Sequence, residues 1–237
     1  PLKQFVDIII YGEGEEVIYD AVKLALSGKK SIPSKPYEIF ANPVDLSKVK
    51  LPYYLYEDKD IANRVVYVEA TRGCPFSCEY CTSAGSGGIR YFPLNELKKE
   101  FLTLINRGVI HFKFLDRSFN HGGEHSLALL DFFRENYREG MTLHFEFTPE
   151  EPNEVWRQRL CAFPPKTLHL EVGIQTWEPE IAARIKRPLN REKTTQTLKF
   201  LIEEARADVH ADLIIGLPGE GIETIASGFN FLIGLNP

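Results

Sequence analysis

Apolar residues fall into two alternating periods along this chain. Short apolar runs at 65–70, 110–115, 143–147, 168–174 and 209–215 read as strands, and Phe5-Val6-Asp7-Ile8-Ile9-Ile10-Tyr11 reads as a further, buried strand. Helical spacing fills the gaps between them. In 95–107, Leu97, Phe101, Leu104 and Ile105 fall at i, i+4, i+7 and i+8, and Gly108 follows as a stop. Similar patterns predict helices at 16–26 (ended by Gly28), 125–136 and 192–205, with an apolar helical stretch near 225–235. From residue 64 onward strand and helix alternate five times. That alternation predicts an α/β fold with a parallel sheet and right-handed crossovers.

Domain organisation follows from the breaks in this pattern. Residues 1–28 form one βα unit, with Gly12-Glu13-Gly14-Glu15-Glu16 as its turn. Residues 29–63 carry Pro33, Pro36, Pro43 and Pro52 with little periodicity and read as a linker. Within it, Tyr53-Tyr54-Leu55-Tyr56 is an aromatic group expected to pack against a core. Residues 64–237 form the main domain. Composition agrees with an ordered chain: 43% of the 237 residues are hydrophobic, including 16 Phe and 10 Tyr. No apolar run reaches the ~20 residues of a membrane span, and Pro1-Leu2-Lys3-Gln4 does not open a signal peptide, so no membrane partner is expected. Clustered thiols without such a signal point to a reducing, cytoplasmic setting. A net charge of −5 argues against a large nucleic-acid surface.

The chemistry concentrates in Thr71-Arg72-Gly73-Cys74-Pro75-Phe76-Ser77-Cys78-Glu79-Tyr80-Cys81. Three of the four cysteines occur here, spaced C-x3-C-x2-C on the loop that leaves the strand at 65–70. Three thiolates on one loop suit three irons of a cubane cluster and leave the fourth iron without a protein ligand. A structural zinc wants four ligands, commonly two C-x2-C pairs, and only one such pair is present. Cys161, between Leu160 and Ala162, reads as a small buried hydrophobe.

With Tyr80 before the last cysteine, this motif resembles the signature of the radical S-adenosylmethionine (SAM) superfamily. The resemblance implies a 4Fe–4S cluster on Cys74, Cys78 and Cys81, with SAM chelating the open iron and yielding a 5′-deoxyadenosyl radical or a transferred methyl group. It implies a partial (β/α)6 TIM-barrel-like core, apparently truncated before the sixth strand, an electron donor such as flavodoxin or ferredoxin, and a small-molecule or otherwise unknown substrate. Residues 5–28 resemble the last strand and helix of a Rossmann-like cobalamin-binding domain. This places the chain near a cobalamin-associated branch of uncharacterised reaction, with cobalamin a cofactor in a full-length protein.

The order Glu146, Gly173-Ile174-Gln175-Thr176, Arg187, Asp212-Leu213-Ile214-Ile215-Gly216-Leu217-Pro218 is similar to that of oxygen-independent coproporphyrinogen oxidases. By that similarity Glu146 and Gln175 face SAM's ribose, and Arg187, twelve residues after Gln175, faces its carboxylate, with Arg184 as the neighbouring candidate. Asp212 faces the cofactor, and Tyr80 joins the cofactor-binding set. Glu171 and Asp212 read equally as cofactor contacts or as members of buried ion pairs. Gly122-Gly123-Glu124 resembles a SAM-binding motif but follows its strand five residues too late, so Asp116 takes that place and the glycines read as a loop. His121 and His125 read as solvated, and no residue is assigned a catalytic role. Two rivals remain: a methylthiotransferase acting on tRNA or protein, which needs a further cluster, and an iron–sulfur electron carrier, which needs a fourth cysteine.

Overall fold

The computed structural model describes residues 3–28 and 36–236. It divides into two compact units, 1–51 and 52–237. In the first, β1 (Ile8–Tyr11) pairs in parallel with β2 (Tyr37–Phe40), with Ile8 opposite Tyr37, and α1 (Ile18–Leu26) connects them in sequence. The Tyr11 and Phe40 rings stack at 4.9 Å. Gly12 sits at φ +91°, where a Cβ would strike the Ala41 carbonyl, so the turn after β1 requires glycine. The expected buried strand at 5–11 is shorter and only half-buried, and Phe5 is exposed.

The linker expected at 29–63 is corrected. Residues 29–35, with Pro33, lie outside the described residues, but 37–40 form β2 and 52–63 belong to the second unit. Flanking prolines hid the short alternation Tyr37-Glu38-Ile39-Phe40. In the second unit a 3-10 turn (Pro52–Leu55) buries Tyr53, while Tyr54 and Leu55 stay exposed. The Tyr53 hydroxyl donates to the Glu69 carbonyl at 3.2 Å and accepts from the Glu69 amide at 2.8 Å. Helix α2 (Asp58–Asn63) follows, capped reciprocally by Glu57 and Asp60.

The main sheet has five strands, all parallel and in sequence order: β3 (Val66–Val68), β6 (His111–Phe114), β7 (Thr142–Phe147), β8 (Leu168–Gln175) and β9 (Asp208–Leu213). Helices α3 (Leu94–Asn106), α4 (Gly123–Glu135), α5 (Glu154–Cys161), α6 (Pro179–Arg184), α7 (Arg191–Lys199) and α8 (Ile222–Gly234) supply the connections. No pairing joins β9 back to β3 among the described residues, so the sheet is an open, partial barrel. Its strands alternate instead of running continuously apolar. On β7 and β8, Leu143, Phe145, Phe147, Leu168, Leu170, Val172 and Ile174 are buried, while His144, Glu146, His169, Glu171 and Gln175 point to the other face. The apolar face packs on the helices through rings: Phe101 of α3 and Phe133 of α4 meet Phe112 and Phe114 of β6 at 5.1–6.3 Å. Phe119 stacks on Phe145 at 3.9 Å. The shortfalls of the sequence reading are α5 and α6, and a two-stranded antiparallel ribbon, β4 (Thr71–Arg72) with β5 (Arg90–Tyr91). The cysteines therefore sit in the loop of a hairpin.

Asp116, expected at SAM, is corrected to a structural place. Its side chain is fully buried just beyond β6, accepting from the Ala70 amide at 3.0 Å and the Thr71 hydroxyl at 2.6 Å. It ties the root of the cysteine hairpin to the sheet. Burial pushes its carboxyl up from 3.8 to about 6, against the pull of those two hydrogen bonds. A carboxyl with a raised folded pKa holds more protons folded than unfolded between those values. Its stabilising share is complete below 3.8 and lost as pH rises through 6. Asp116→Asn, which cannot ionise, is expected to be the less stable protein at acid pH, because its amide NH2 faces a donor. It should then gain on the wild type by about 2–3 kcal/mol from about pH 4 to about pH 7. Urea unfolding of both cofactor-free proteins across that range checks this; parallel pH profiles would contradict it.

Candidate cofactor site

The hairpin loop between β4 and β5 begins at Gly73, whose φ is +102° and where a Cβ would collide with the Gly88 carbonyl. The Cys74 amide donates to Ser86 Oγ at 2.9 Å, closing the loop on itself. The Cys81 amide turns back to the Cys78 carbonyl at 3.1 Å, and the Glu79 amide reaches the Ile185 carbonyl at 3.1 Å. This arrangement turns Cys74, Cys78, Tyr80 and Cys81 toward one cavity of about 150 Å³. Its other walls come from the strand ends: Arg117, Glu146, Phe147, Thr148, Glu171, Gly173, Gln175 and Asp212, with Arg187 from the loop after α6. Of the residues expected at the cofactor, Tyr80, Glu146, Gln175, Arg187 and Asp212 are thus brought together with the three cysteines, and Asp116 is not.

Each wall residue has a distinct electrostatic state. Glu146 faces Arg117 at 3.4 Å, and burial raises its carboxyl against that cation. Glu171 accepts from His144 Nε2 at 3.0 Å and lies 3.8 Å from Lys113 Nζ, which realises its ion-pair reading at the cavity wall. Burial lowers His144 despite that partner. Burial raises Asp212, and the Glu171 charge adds to the shift. Burial also pushes the Tyr80 phenol up. Gln175 ends β8 at φ +71°, beside a register irregularity between Gly173 and Gln175. A non-glycine residue held there stores about 1–3 kcal/mol, the kind of strain that collects at ligand sites.

The two arginine candidates separate cleanly. Arg184 Nη1 donates to the Pro218 carbonyl at 2.8 Å and is spent on the Gly216–Gly219 turn. Arg187 is aimed into the cavity by Lys186, which adopts φ +54°. Its Nη2 donates to the Gly173 carbonyl at 2.6 Å, its Nη1 to Cys78 Sγ at 3.9 Å, and its guanidinium lies 5.4 Å from the Phe76 ring. The other two sulfurs also have donors: the Ser83 amide reaches Cys81 Sγ at 3.4 Å, and Ser118 Oγ reaches Cys74 Sγ at 3.9 Å.

Sequence reasoning passed over Phe76, Lys113, Arg117, Ser118 and His144. For Lys113 and His144 a signal existed, since each is a polar residue inside an apolar strand. Arg117 and Ser118 carry none, because only the fold turns them inward. His121 and His125 are half-buried rather than solvated. His121 Nε2 lies 2.8 Å from Thr148 Oγ1 with its ring edge-on to Phe76, and His125 Nε2 meets the Phe92 carbonyl at 2.9 Å. Cys161 is half-exposed at the end of α5 and does not line the cavity. Gly122 caps α4, as a loop residue before a helix.

Three free thiols on one wall, each meeting a hydrogen-bond donor, form a donor set that suits an iron–sulfur cluster. Among the described residues no three His, Cys, Asp or Glu side chains gather closely enough for a single metal ion. A neighbouring cavity of about 530 Å³ shares Phe76, Thr148 and Arg187 with the cysteine cavity and is closed by Glu150, Leu189, Asn190 and Lys193. No helix among the described residues is long and apolar enough to cross a membrane.

Comparison with known proteins agrees with this site. Residues 68–232 match the radical SAM superfamily model. Among curated relatives, the ribosomal protein uS12 methylthiotransferase RimO of Chlamydia pneumoniae is 26% identical over 255 aligned positions, covering 98% of this chain and 49% of that protein. Cytidylyl-2-hydroxyethylphosphonate methyltransferase of Streptomyces wedmorensis is 24% identical, covering 72% and 33%. The chain thus spans half or less of the length of these relatives. Among solved structures, the radical SAM methyltransferase TsrM from Kitasatospora setae superposes with a TM-score of 0.70 at 15% identity, over 96% of this chain and 49% of that one. Coproporphyrinogen III oxidase HemN from Escherichia coli gives 0.56 at 20% identity, over 73% and 42%. At such identities the structures share the fold, while the sequence match to the family spans most of the chain. The chain belongs to the radical SAM superfamily, a family of enzymes.

Proposed function

We propose that Cys74, Cys78 and Cys81 hold a 4Fe–4S cluster and that the strand-end residues hold SAM against it. The observation that carries this reading is the convergence of three free thiols with Glu146, Gln175, Arg187 and Asp212 on one cavity. When bound, the cluster and SAM together supply a 5′-deoxyadenosyl radical or a methyl group. The chain's own residues bind and orient. Arg187 presents a planar guanidinium suited to a carboxylate, and Glu146 and Gln175 offer acceptors to a ribose diol. Glu146, Glu171 and Asp212 place negative charge where a sulfonium and an ammonium would lie. Tyr80 and Phe76 give the loop an aromatic wall that limits water. A small-molecule substrate fits the adjoining 530 Å³ space, which opens onto the same Arg187 and Phe76. An external one-electron donor completes the reading.

Methylthiotransferases are among the relatives, but that chemistry needs a further cluster. Cys161 is the one cysteine left and it lies off the cavity, which favours the single-cluster enzyme. No histidine precedes His111, so residues 1–51 offer no imidazole to a cobalamin. Any use of cobalamin therefore belongs to a full-length protein. We further place the functional boundary between the βα-type unit and the SAM-binding core near residue 51, where the two compact units part.

Replacing any one of Cys74, Cys78 and Cys81 by Ala should abolish the broad thiolate-to-iron absorption at about 400 nm in anaerobically reconstituted protein. Cys161→Ala should keep it. Iron loss in the Cys161 variant with the loop variants still loaded would sink the assignment. For SAM, Arg187→Ala should weaken binding by about one to two orders of magnitude with iron content unchanged, given roughly 1.5–3 kcal/mol for a charge-assisted hydrogen bond. Arg187→Lys should restore part of it, since a point charge does not reproduce the guanidinium fork. SAM titrations of these and of Arg184→Ala decide the matter: a loss confined to Arg184→Ala would transfer the carboxylate to that residue.

A further inference from the structure

The hydroxyl of Ser118 has one hydrogen-bond partner among the described residues, and that partner is Cys74 Sγ, 3.9 Å away. Ser118 is 2% exposed, so water does not complete its bonding. Its position is fixed from both sides. Two residues before it, Asp116 is fully buried on Ala70 and Thr71; directly after it, Phe119 is buried and stacked on Phe145. The backbone carbonyl of Ser118 is taken by the His121 amide at 3.0 Å, which fixes the turn. A rigid, buried hydroxyl aimed at a single sulfur is poorly explained by packing alone, because alanine would pack there equally well.

We propose that Ser118 sets the reduction potential of the cluster by donating its hydroxyl proton to Cys74 Sγ. This rests on the cluster reading above. A thiolate that ligates iron accepts such a bond more strongly than a thiol does. Reduction places one more negative charge on the cluster and its sulfurs, so a donor at a sulfur stabilises the reduced state more than the oxidised one and raises the potential. Ser118 differs here from Arg187, whose guanidinium also faces the space for SAM. Ser118 does not line that cavity, so its effect reaches the cluster through Cys74 alone. It is a positioning residue for charge.

The test is a redox titration of anaerobically reconstituted protein, followed by electron paramagnetic resonance of the reduced cluster, with iron measured in every sample. In Ser118→Ala the ratio of reduced to oxidised cluster at any fixed potential should fall about three- to tenfold. At 59 mV per tenfold for one electron, that moves the midpoint about 30–60 mV more negative. Ser118→Thr keeps the hydroxyl and should stay near the wild type. Ser126→Ala should also leave the midpoint in place, since it removes a buried hydroxyl of α4 that has no partner and no sulfur nearby. An Ala midpoint equal to the wild type at equal iron content overturns the proposal. If Ser118→Ala loads no iron, Ser118→Gly is titrated instead. If neither loads while Ser118→Thr does, the hydroxyl holds the cluster rather than tuning it, which also overturns the proposal. A wild-type protein that binds no cluster would instead defeat the cluster reading itself.

Discussion

Residues two apart on a strand share a face, and in a parallel sheet the neighbours at the same level share it too. In this chain that geometry gathers Lys113, His144, Glu146, His169, Glu171, Asp208, His210 and Asp212 on one side of four strands. The opposite side carries Phe112, Phe114, Leu143, Phe145, Leu170 and Val172. A slip of one residue in any strand would bring its phenylalanine or leucine into the cavity and its carboxylate among the rings. The ring contacts on the helix side, with Phe145 4.7 Å from Phe114 and 3.9 Å from Phe119, oppose such a slip. The packed core and the charged cavity are two consequences of one register.

That register also creates a conflict. Glu146 stands opposite Glu171, and like charges directly across a strand pair repel. Two segments resolve it separately. Arg117, from the loop after β6, answers Glu146, while Lys113 and His144, from the strands themselves, answer Glu171. The compensation is partial, because burial keeps Glu146 and Asp212 above the ordinary carboxylate range and Glu171 adds to both shifts. Such a wall accepts a cationic occupant more readily than a neutral or anionic one. SAM is cationic at its sulfonium and its ammonium, so the proposed ligand would relieve the like-charge repulsion that the fold imposes.

The five parallel strands and three of the crossover helices were legible because each carries a period long enough to recognise. The strands at 110–115 and 168–174 emerge within one residue of their expected ends. The cysteine spacing was equally legible, as it needs no tertiary information. Three things were not. Strand β2 is four residues between prolines, with a partner 29 residues upstream that nothing local announces. The β4–β5 ribbon has two residues per strand, too few for any period. Asp116 and Arg117 are adjacent polar residues that the sequence treats alike, yet the end of β6 sends the first into the core and the second to the cavity. Side-chain direction at a strand terminus depends on the backbone beyond it, and no pattern records that.

The cysteine hairpin has little core of its own and depends on ties from elsewhere. Asp116 holds its root, Ile185 holds the Glu79 amide, and Ser86 spans its base. Its sulfurs then receive donors from three different stretches: Ser83 within the loop, Ser118 after β6 and Arg187 after α6. These donors are not equivalent. Arg187 divides its guanidinium between the Gly173 carbonyl and Cys78 Sγ while facing the cavity, so a carboxylate arriving there must share or displace one of those bonds. Occupancy of the cavity would then change the hydrogen bonding at Cys78. Ser118 is walled off behind Cys74 and would keep its bond whether or not the cavity is filled. One sulfur thus reports on the ligand and another holds a fixed reference, a division that follows from which side of the loop each donor approaches.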